Sequence, residues 1–469
     1  MLRLFRLNDP YRLGLVLIVM VALRLPHWLS GGPITWQQQH LLLLGERLQS
    51  GAAMYSDMWD TTGPIPALLY SGLHALFGQS ALAHELLALF ILFIQCAVFN
   101  AMLLGRKAYN ENTYVPALLY GLLGSWYLEL FNLTPLLIGL TFVLLGYQQL
   151  FSHLQSRAKE DEAILLMGLM MGLAALCHLP LGLLMVPLFL ALGFFSSTVP
   201  RRYALIVVGF FLPMFLSGVF YFLFDGLGNF INFFLLQPFT LAKAPIADWG
   251  LMLSLLAVPT LLMLPAIART LTYPRFINFQ SRLQQIMLLW LVVGLLLWLR
   301  AYHRNTSHLL LLVPPMAFFL SHYLLLFKKA RWAEVTFWII WVPVAALSLN
   351  PVTGWLPFLP GPESVLVPET QLPATYHDKS MWVLGDYPEY YQHASNLGTA
   401  FYHWDLAEKL VDDIDRYGEI EALDRAVDKP LPEVVVDPDD RFAKLLPYYP
   451  EWQAAYRHIP QDSVWVRRP

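Results

Sequence analysis

Apolar residues run in long blocks along the first 350 positions, and polar residues are confined mostly to short gaps between them. The blocks fall near residues 13–30, 81–104, 113–128, 134–152, 163–178, 180–198, 204–224, 250–268, 285–300, 308–327 and 332–350. Runs such as Leu13–Leu23 and Met287–Leu299 carry no charge. A helix needs about 20 such residues to cross a bilayer core, so the pattern predicts about 11 membrane spans. One further apolar stretch, Pro64–Phe77, is settled by charge. If it lies along the interface, 15 Lys and Arg fall on the side of the N-terminus. Arg24 sits at the end of the first span, and the other side keeps only Arg47, Lys243, Arg300 and Arg304 outside the tail. Lys and Arg collect in cytoplasmic loops, so the predicted N-terminus is cytoplasmic and Pro64–Phe77 does not cross. The first block follows Arg3, Arg6 and Arg12, lacks a small-x-small cleavage site, and runs on into Arg24, Pro26 and His27. It reads as a retained anchor.

Beyond residue 350 the pattern changes. Residues 351–373 are rich in proline and glycine and predict a semi-rigid linker. In residues 374–469, Met381–Leu384, Glu433–Val436 and Ser463–Val466 predict strands, and Asp405–Val427 predicts a helix broken near Tyr417-Gly418. That alternation implies a small α/β domain. The fold class expected is a polytopic α-helical membrane protein, with interfacial helices in an outer loop at about 31–80 and the α/β domain on the same outer face. Composition agrees: the chain is 57% hydrophobic and 13% charged, against about 25% charged in soluble domains. The net charge of -3 is uneven, since residues 351–469 hold 20 of the 33 acids and 10 of the 30 Lys and Arg. Glu408, Asp412, Asp413 and Asp415 read as a solvated helix face. Cys96 and Cys177 lie in apolar blocks and form no metal-binding or disulfide pattern. The absence of a phosphate-binding glycine loop and of a basic nucleic-acid surface leaves no support for a soluble enzyme or a nucleic-acid partner.

Ionisable residues are nearly absent from mid-span: Glu85, Glu129, Asp225, Arg300 and Glu334 all sit at predicted ends. A proton-coupled transporter or ion pump needs them deep in the bundle. Charge gathers at the outer face instead. Loop 1 offers His40, Glu46, Arg47, Asp57 and Asp60, the turn after the third span offers Glu129, and the end of the ninth offers Arg300, His303, Arg304 and His308. Asp57, Asp60, Glu46 and Glu129 are candidates to deprotonate an acceptor hydroxyl or to ligate a divalent metal ion through oxygen. Arg300, His303 and Arg304, with Lys243, suit a phosphate. Each has a plainer reading. Glu46 and Arg47 fit the polar face of an interfacial helix, Asp60 a turn cap, Glu129 a solvated loop acid, and the Arg300 group a lipid head-group contact. His178, in Cys-His-Leu-Pro at a span end, reads as structural. The long loop 225–249 is apolar enough to lie on the membrane surface or cap a cavity.

The order of parts resembles the GT-C superfamily of membrane glycosyltransferases, in the branch of protein O-mannosyltransferases and lipid A aminoarabinose transferases. The resemblance rests on GERLQSGAAMYSDMWDTTGP after the first span, PALLYSGLHALFG before the second, AYHRNTSHLLLLVPP at the ninth-to-tenth junction and an outer C-terminal domain. It implies inverting transfer of a sugar from a polyprenyl-phosphate donor to an acceptor on the outer face of the bacterial cytoplasmic membrane, with loop 1 carrying an acid as base. By spacing back from Gly51, that acid position falls on Gln37 or Gln38, and the lysine of the aminoarabinose branch's Lys-Pro-Pro is replaced in Thr62-Gly63-Pro64. An amide takes no proton at ordinary pH. The glycosyltransferase reading therefore stands beside a non-catalytic GT-C-derived scaffold or assembly subunit, and beside a lipid or solute transporter. Expected partners are a polyprenyl-phosphate sugar lipid, membrane lipids and a membrane or periplasmic protein.

Overall fold

A helix satisfies its own backbone N–H and C=O groups, so uncharged apolar blocks become helices in a bilayer. The computed structural model describes residues 1–155, 161–196, 199–239, 249–272, 276–300, 305–356, 365–368, 372–412, 414 and 417–468. Among the described residues, 8 helices are long and apolar enough to span: Arg12–Leu29, Ala81–Leu104, Pro135–Gln155, Pro200–Leu223, Gly250–Thr272, Asn278–Arg300, Thr306–Leu325 and Ala330–Thr353. The other three predicted segments are helical but shorter. Val115–Leu123 stops at Gly124 before a 3-10 turn at Leu128–Phe131, and Asp161–Cys177 is parted from Met185–Phe195 by a 3-10 turn at Leu179–Leu184. Pro180, at the start of that turn, has no N–H to continue a helix. Pro64–Phe77 has 14 residues, about 21 Å of helix against a hydrocarbon core of about 30 Å.

The chain divides into two compact units. The membrane unit comprises Met1–Pro33, Leu82–Ser217 and Pro238–Ser364. In it Val115–Leu123 is buried on every face, whereas Pro200–Leu223 presents Phe211 and Phe215 outward. Between helices in lipid, close backbone approach replaces the hydrophobic drive that water supplies. Gly168 and Gly172 lie four apart on Asp161–Cys177, and a Cβ on either would collide with the backbone of Ile206 or Phe210 on Pro200–Leu223. Gly172→Val should cost about 1–3 kcal/mol through this overpacking, read as a lowered Tm of the purified protein.

The second unit comprises Ile34–Ala81, Gly218–Gln237 and Val365–Pro469. Its sheet has β1 (Ser380–Val383), β2 (Asn396–Leu397), β3 (Val434–Val436), β4 (Tyr456–Ile459) and β5 (Val464–Arg467), in the order β2-β1-β3-β5-β4. β1 pairs in parallel with β2 and β3; β5 runs antiparallel to β3 and β4. Alternation sorts the side chains. Trp382 and Val435 face a core with Phe442 and Trp452, while Met381, Val383, Val434 and Val436 face a second core. β1, β3 and β5 are where the apolar runs predict them, and β2 and β4 are additional. The predicted long helix is two shorter ones, Glu408–Asp412 and Tyr417–Ala426. From the predicted linker, Val365–Val367 hydrogen-bonds back to Ile34 and Trp36 at the start of the loop that follows the first span. The described part of the 225–249 loop includes a π-helical stretch, Phe230–Leu236, whose Phe230 and Phe234 pack on Tyr55.

Candidate functional site

Thr35 caps the helix Trp36–Gln49, its hydroxyl accepting from the Gln38 N–H at 3.2 Å. Positions three and four apart share a helix face, which puts His40, Leu43 and Arg47 on one stripe. Leu43 enters the second core of the C-terminal sheet. Arg47 donates to the Leu397 carbonyl at 3.1 Å and grips both oxygens of Asp428. Arg47 is therefore buried and paired, not part of a solvated polar face. Gly45, on another face, allows close approach to Pro64–Phe77, since a Cβ there would sit 2.8 Å from the Tyr70 carbonyl oxygen. The Gly-Glu-Arg motif is thus a packing device on two sides of one helix.

His40 heads the same stripe. Its Nε2 lies 2.6 Å from Asp60 Oδ2, and the Thr62 N–H donates to Oδ1 at 2.7 Å. Asp60 is 2% exposed. Burial pushes its pKa up, but the charge and hydrogen bond of His40, then His403 and the Thr62 N–H, outweigh burial and hold it well below the usual carboxylate range. An ionised carboxylate only accepts, so His40 Nε2 carries the proton and, in the neutral ring, Nδ1 carries the lone pair. The ring stacks on Tyr402 at 5.0 Å and lies 4.4 Å from His403. The Tyr402 hydroxyl is buried without a hydrogen-bond partner among the described residues. This constellation of a buried Asp–His pair, a phenol and a second imidazole can remove a proton from a hydroxyl and steady the product.

The remaining candidates of the loop after the first span divide by environment. Asp57 is exposed and accepts from the Ala53 N–H at 2.8 Å, closing a local turn. Glu46 accepts from Gln79; partial burial raises its pKa and the Gln79 bond lowers it, with burial the larger. Gln38 Nε2 donates to the Ala81 carbonyl at 3.5 Å and Gln39 Nε2 to the Pro388 carbonyl at 3.2 Å. Two of the three amides are thus engaged in joining segments of the unit. Gln37 Oε1 is buried without a partner among the described residues.

The membrane unit holds its own polar cluster. Glu129, 3% exposed, accepts from both the N–H (2.7 Å) and the hydroxyl of Thr306. It is a buried anchor of the turn that starts the tenth predicted span, and burial raises its pKa against the lowering effect of these bonds. Glu129→Ala should cost about 1–3 kcal/mol by leaving two buried donors unmet. Glu129→Gln, which keeps an acceptor oxygen, should cost less; thermal melts of both variants distinguish them. Two residues on, Phe131 lies 4.6 Å below the guanidinium of Arg24 and 5.9 Å from the His27 ring. Glu85 accepts from Trp28 Nε1 at 2.6 Å and lies 3.4 Å from His27 Nε2. Arg24 Nη1 donates to the Glu85 carbonyl at 3.2 Å, while its Nε and Nη2 are buried and unpartnered among the described residues. Sequence reasoning passed over Arg24 as a span-end charge; the signal for it was its isolation in an otherwise apolar run.

Of the predicted phosphate-binding set, Arg300 is exposed and donates to the Phe239 carbonyl at 3.2 Å. Lys243, His303 and Arg304 lie outside the described residues. Among the described residues, no three His, Cys, Asp or Glu side chains gather as a metal site.

Apolar helices, a loop with two short helices and a small C-terminal sheet define the class: a polytopic helical membrane protein with a small α/β domain. The crystal structure of ArnT from Cupriavidus metallidurans bound to undecaprenyl phosphate is similar to it, with a TM-score of 0.53 at 14% identity. The match covers 74% of this chain and 66% of that one, so the chain spans just under two thirds of that neighbour's length. The apo state of the same protein gives a TM-score of 0.49 at 12% identity over 72% and 65% of the two chains. No protein-family model and no curated protein matches the sequence. The likeness is one of fold, and it agrees with the resemblance read from the order of parts in the sequence.

Proposed function

We propose that this protein is a membrane glycosyltransferase of the bacterial cytoplasmic membrane, moving a sugar from a polyprenyl-phosphate donor to an acceptor hydroxyl on the outer face. The observation that carries the reading is the GT-C fold shared with a protein crystallised with undecaprenyl phosphate. The buried His40–Asp60 pair supplies the chemistry such a fold needs. His40 Nδ1 takes the proton of the acceptor hydroxyl, the freed oxygen attacks the anomeric carbon, and the sugar–phosphate C–O bond breaks. Polyprenyl phosphate leaves with the bonding electrons, and the sugar inverts. Asp60 is the positioning residue, since both its oxygens are already hydrogen-bonded. Within the membrane unit, the Arg24 N–H groups that lack partners among the described residues suit an anionic head group, as does the expected basic set Lys243, Arg300, His303 and Arg304. Asp57 and Glu46 have no step here, and Glu129 positions Thr306.

Binding of undecaprenyl phosphate to the purified protein, followed by native mass spectrometry, tests the donor class. Specific retention that weakens about tenfold in Arg24→Gln, worth about 1.4 kcal/mol, is expected. Retention no greater than that of a phosphate-free polyprenol would remove the reading. A scaffold role is favoured by one observation, the use of Gln38, one of the two positions where the resembling family keeps its acid, as a structural link to the Ala81 carbonyl. It predicts full cellular function in a His40→Ala/Asp60→Asn double variant.

A further inference from the structure

At one end of the membrane unit, among the basic loops, the chain forms a half-open cavity of about 250 Å3. Its lining joins the N-terminal segment, the turn after Ala81–Leu104, Phe276 and the end of Val313–Leu325. None of these residues has a part in the outer-face chemistry. Arg6 and Glu111 lie side by side in the lining, the Arg6 Nε donating to Glu111 Oε1 at 2.9 Å. Both remain partly open, with side chains 25% and 39% exposed. Deeper in, His322 is 2% exposed and packs its ring 4.5 Å from Tyr109 and 5.2 Å from Phe276. Its Nε2 has no hydrogen-bond partner among the described residues. Leu325 and Leu326 give an apolar wall.

The chemistry of that lining is selective. A lone anion meets Glu111, and a lone cation meets Arg6. A ligand carrying both charges exchanges the internal ion pair for two of its own. A buried imidazole nitrogen without a partner is costly, and a polar ligand atom removes that cost. The volume is below the roughly 300–1,000 Å3 of sites for whole drug-sized ligands, so it suits a head group whose remainder lies elsewhere. We propose that the cavity binds the phosphoethanolamine head group of a membrane phospholipid. The phosphate pairs with Arg6 and accepts from His322 Nε2, the ammonium pairs with Glu111 beside the Tyr109 ring, and the first methylenes run along Leu325 and Leu326.

The test uses full-length protein, delipidated and reconstituted in nanodiscs with equal phosphatidylethanolamine and phosphatidylglycerol. Lipid that stays bound on release from the disc is counted by native mass spectrometry. Wild type should enrich phosphatidylethanolamine about fivefold, the worth of one part-exposed ion pair. Glu111→Gln should remove that preference, and Leu326→Trp, which fills the cavity, should remove retention itself. Equal retention of the two lipids by wild type, or an unchanged preference in both variants, overturns the proposal. Free phosphoethanolamine that displaces the lipid at equal concentration overturns the phospholipid assignment and indicates a soluble ligand of the same chemistry. Unchanged Tm values in Glu111→Gln separate a lost ligand from a lost fold.

Discussion

Alanine at position 40 should slow sugar transfer by roughly 10²–10⁴-fold, the usual contribution of a positioned general base. His40 sits on the face of a helix fixed at three points: its own pairing with Asp60, Leu43 in the sheet core, and Arg47 on Asp428. Removing the imidazole therefore leaves the other two anchors, and the loss should fall on kcat. Asp60→Asn is the companion variant. An amide that turns its NH2 toward Nε2 forces the other tautomer and moves the lone pair away from Nδ1, so the rate should also fall by orders of magnitude. A Tm profile against pH provides a second reading of the pair. Asp60 is held below the ordinary carboxylate value, so its contribution to stability is complete above about pH 4 and is lost as pH falls through its folded value. Wild type and Asp60→Asn should differ in Tm at neutral pH and converge in strong acid.

Arg47→Ala should destabilise the second unit by about 1–3 kcal/mol, because it leaves the buried Leu397 carbonyl and the part-buried Asp428 without their donor. Arg47→Lys should recover only part of this, since a single ammonium cannot match both carboxylate oxygens. The expected signature is a lowered Tm together with faster proteolysis within 34–81 and 365–469, and both effects should be larger in the alanine variant. Unchanged proteolysis in Arg47→Ala would show that the loop helix does not depend on this pair.

The sequence made the membrane helices legible because hydrophobic length is a local property, and the same holds for the Val434–Val436 strand, an unbroken β-branched run. β2 has two residues and β4 reads Tyr-Arg-His-Ile, so neither carries an apolar run that a single strand would show. The fold class and the GT-C resemblance survive comparison with solved structures; the number of crossings is not fixed by helix length, because three of the segments are short. The outer-loop site was half legible. Asp60 and His40 were both named, but their pairing depends on the path of the chain between them. Arg47 looked like a solvated charge because its partner, Asp428, lies 381 residues away. Tyr402 and His403 were missed for the same reason, although the run Phe401-Tyr402-His403-Trp404 is unusually aromatic for an acidic tail. Arg24 shows the opposite case: a single charge in an apolar span is visible in sequence, but only the structure shows that two of its N–H groups are buried without partners among the described residues.

Turnover is the most direct test of the central claim. Purified protein in proteoliposomes, supplied with a panel of polyprenyl-phosphate-linked sugars and an outer-face lipid or protein acceptor fraction, should release polyprenyl phosphate and label the acceptor with the inverted sugar. His40→Ala and Asp60→Asn should each slow both signals by roughly 10²-fold or more. Release and labelling at the wild-type rate in both variants, or full cellular function in the double variant with no release from any donor, would contradict the account.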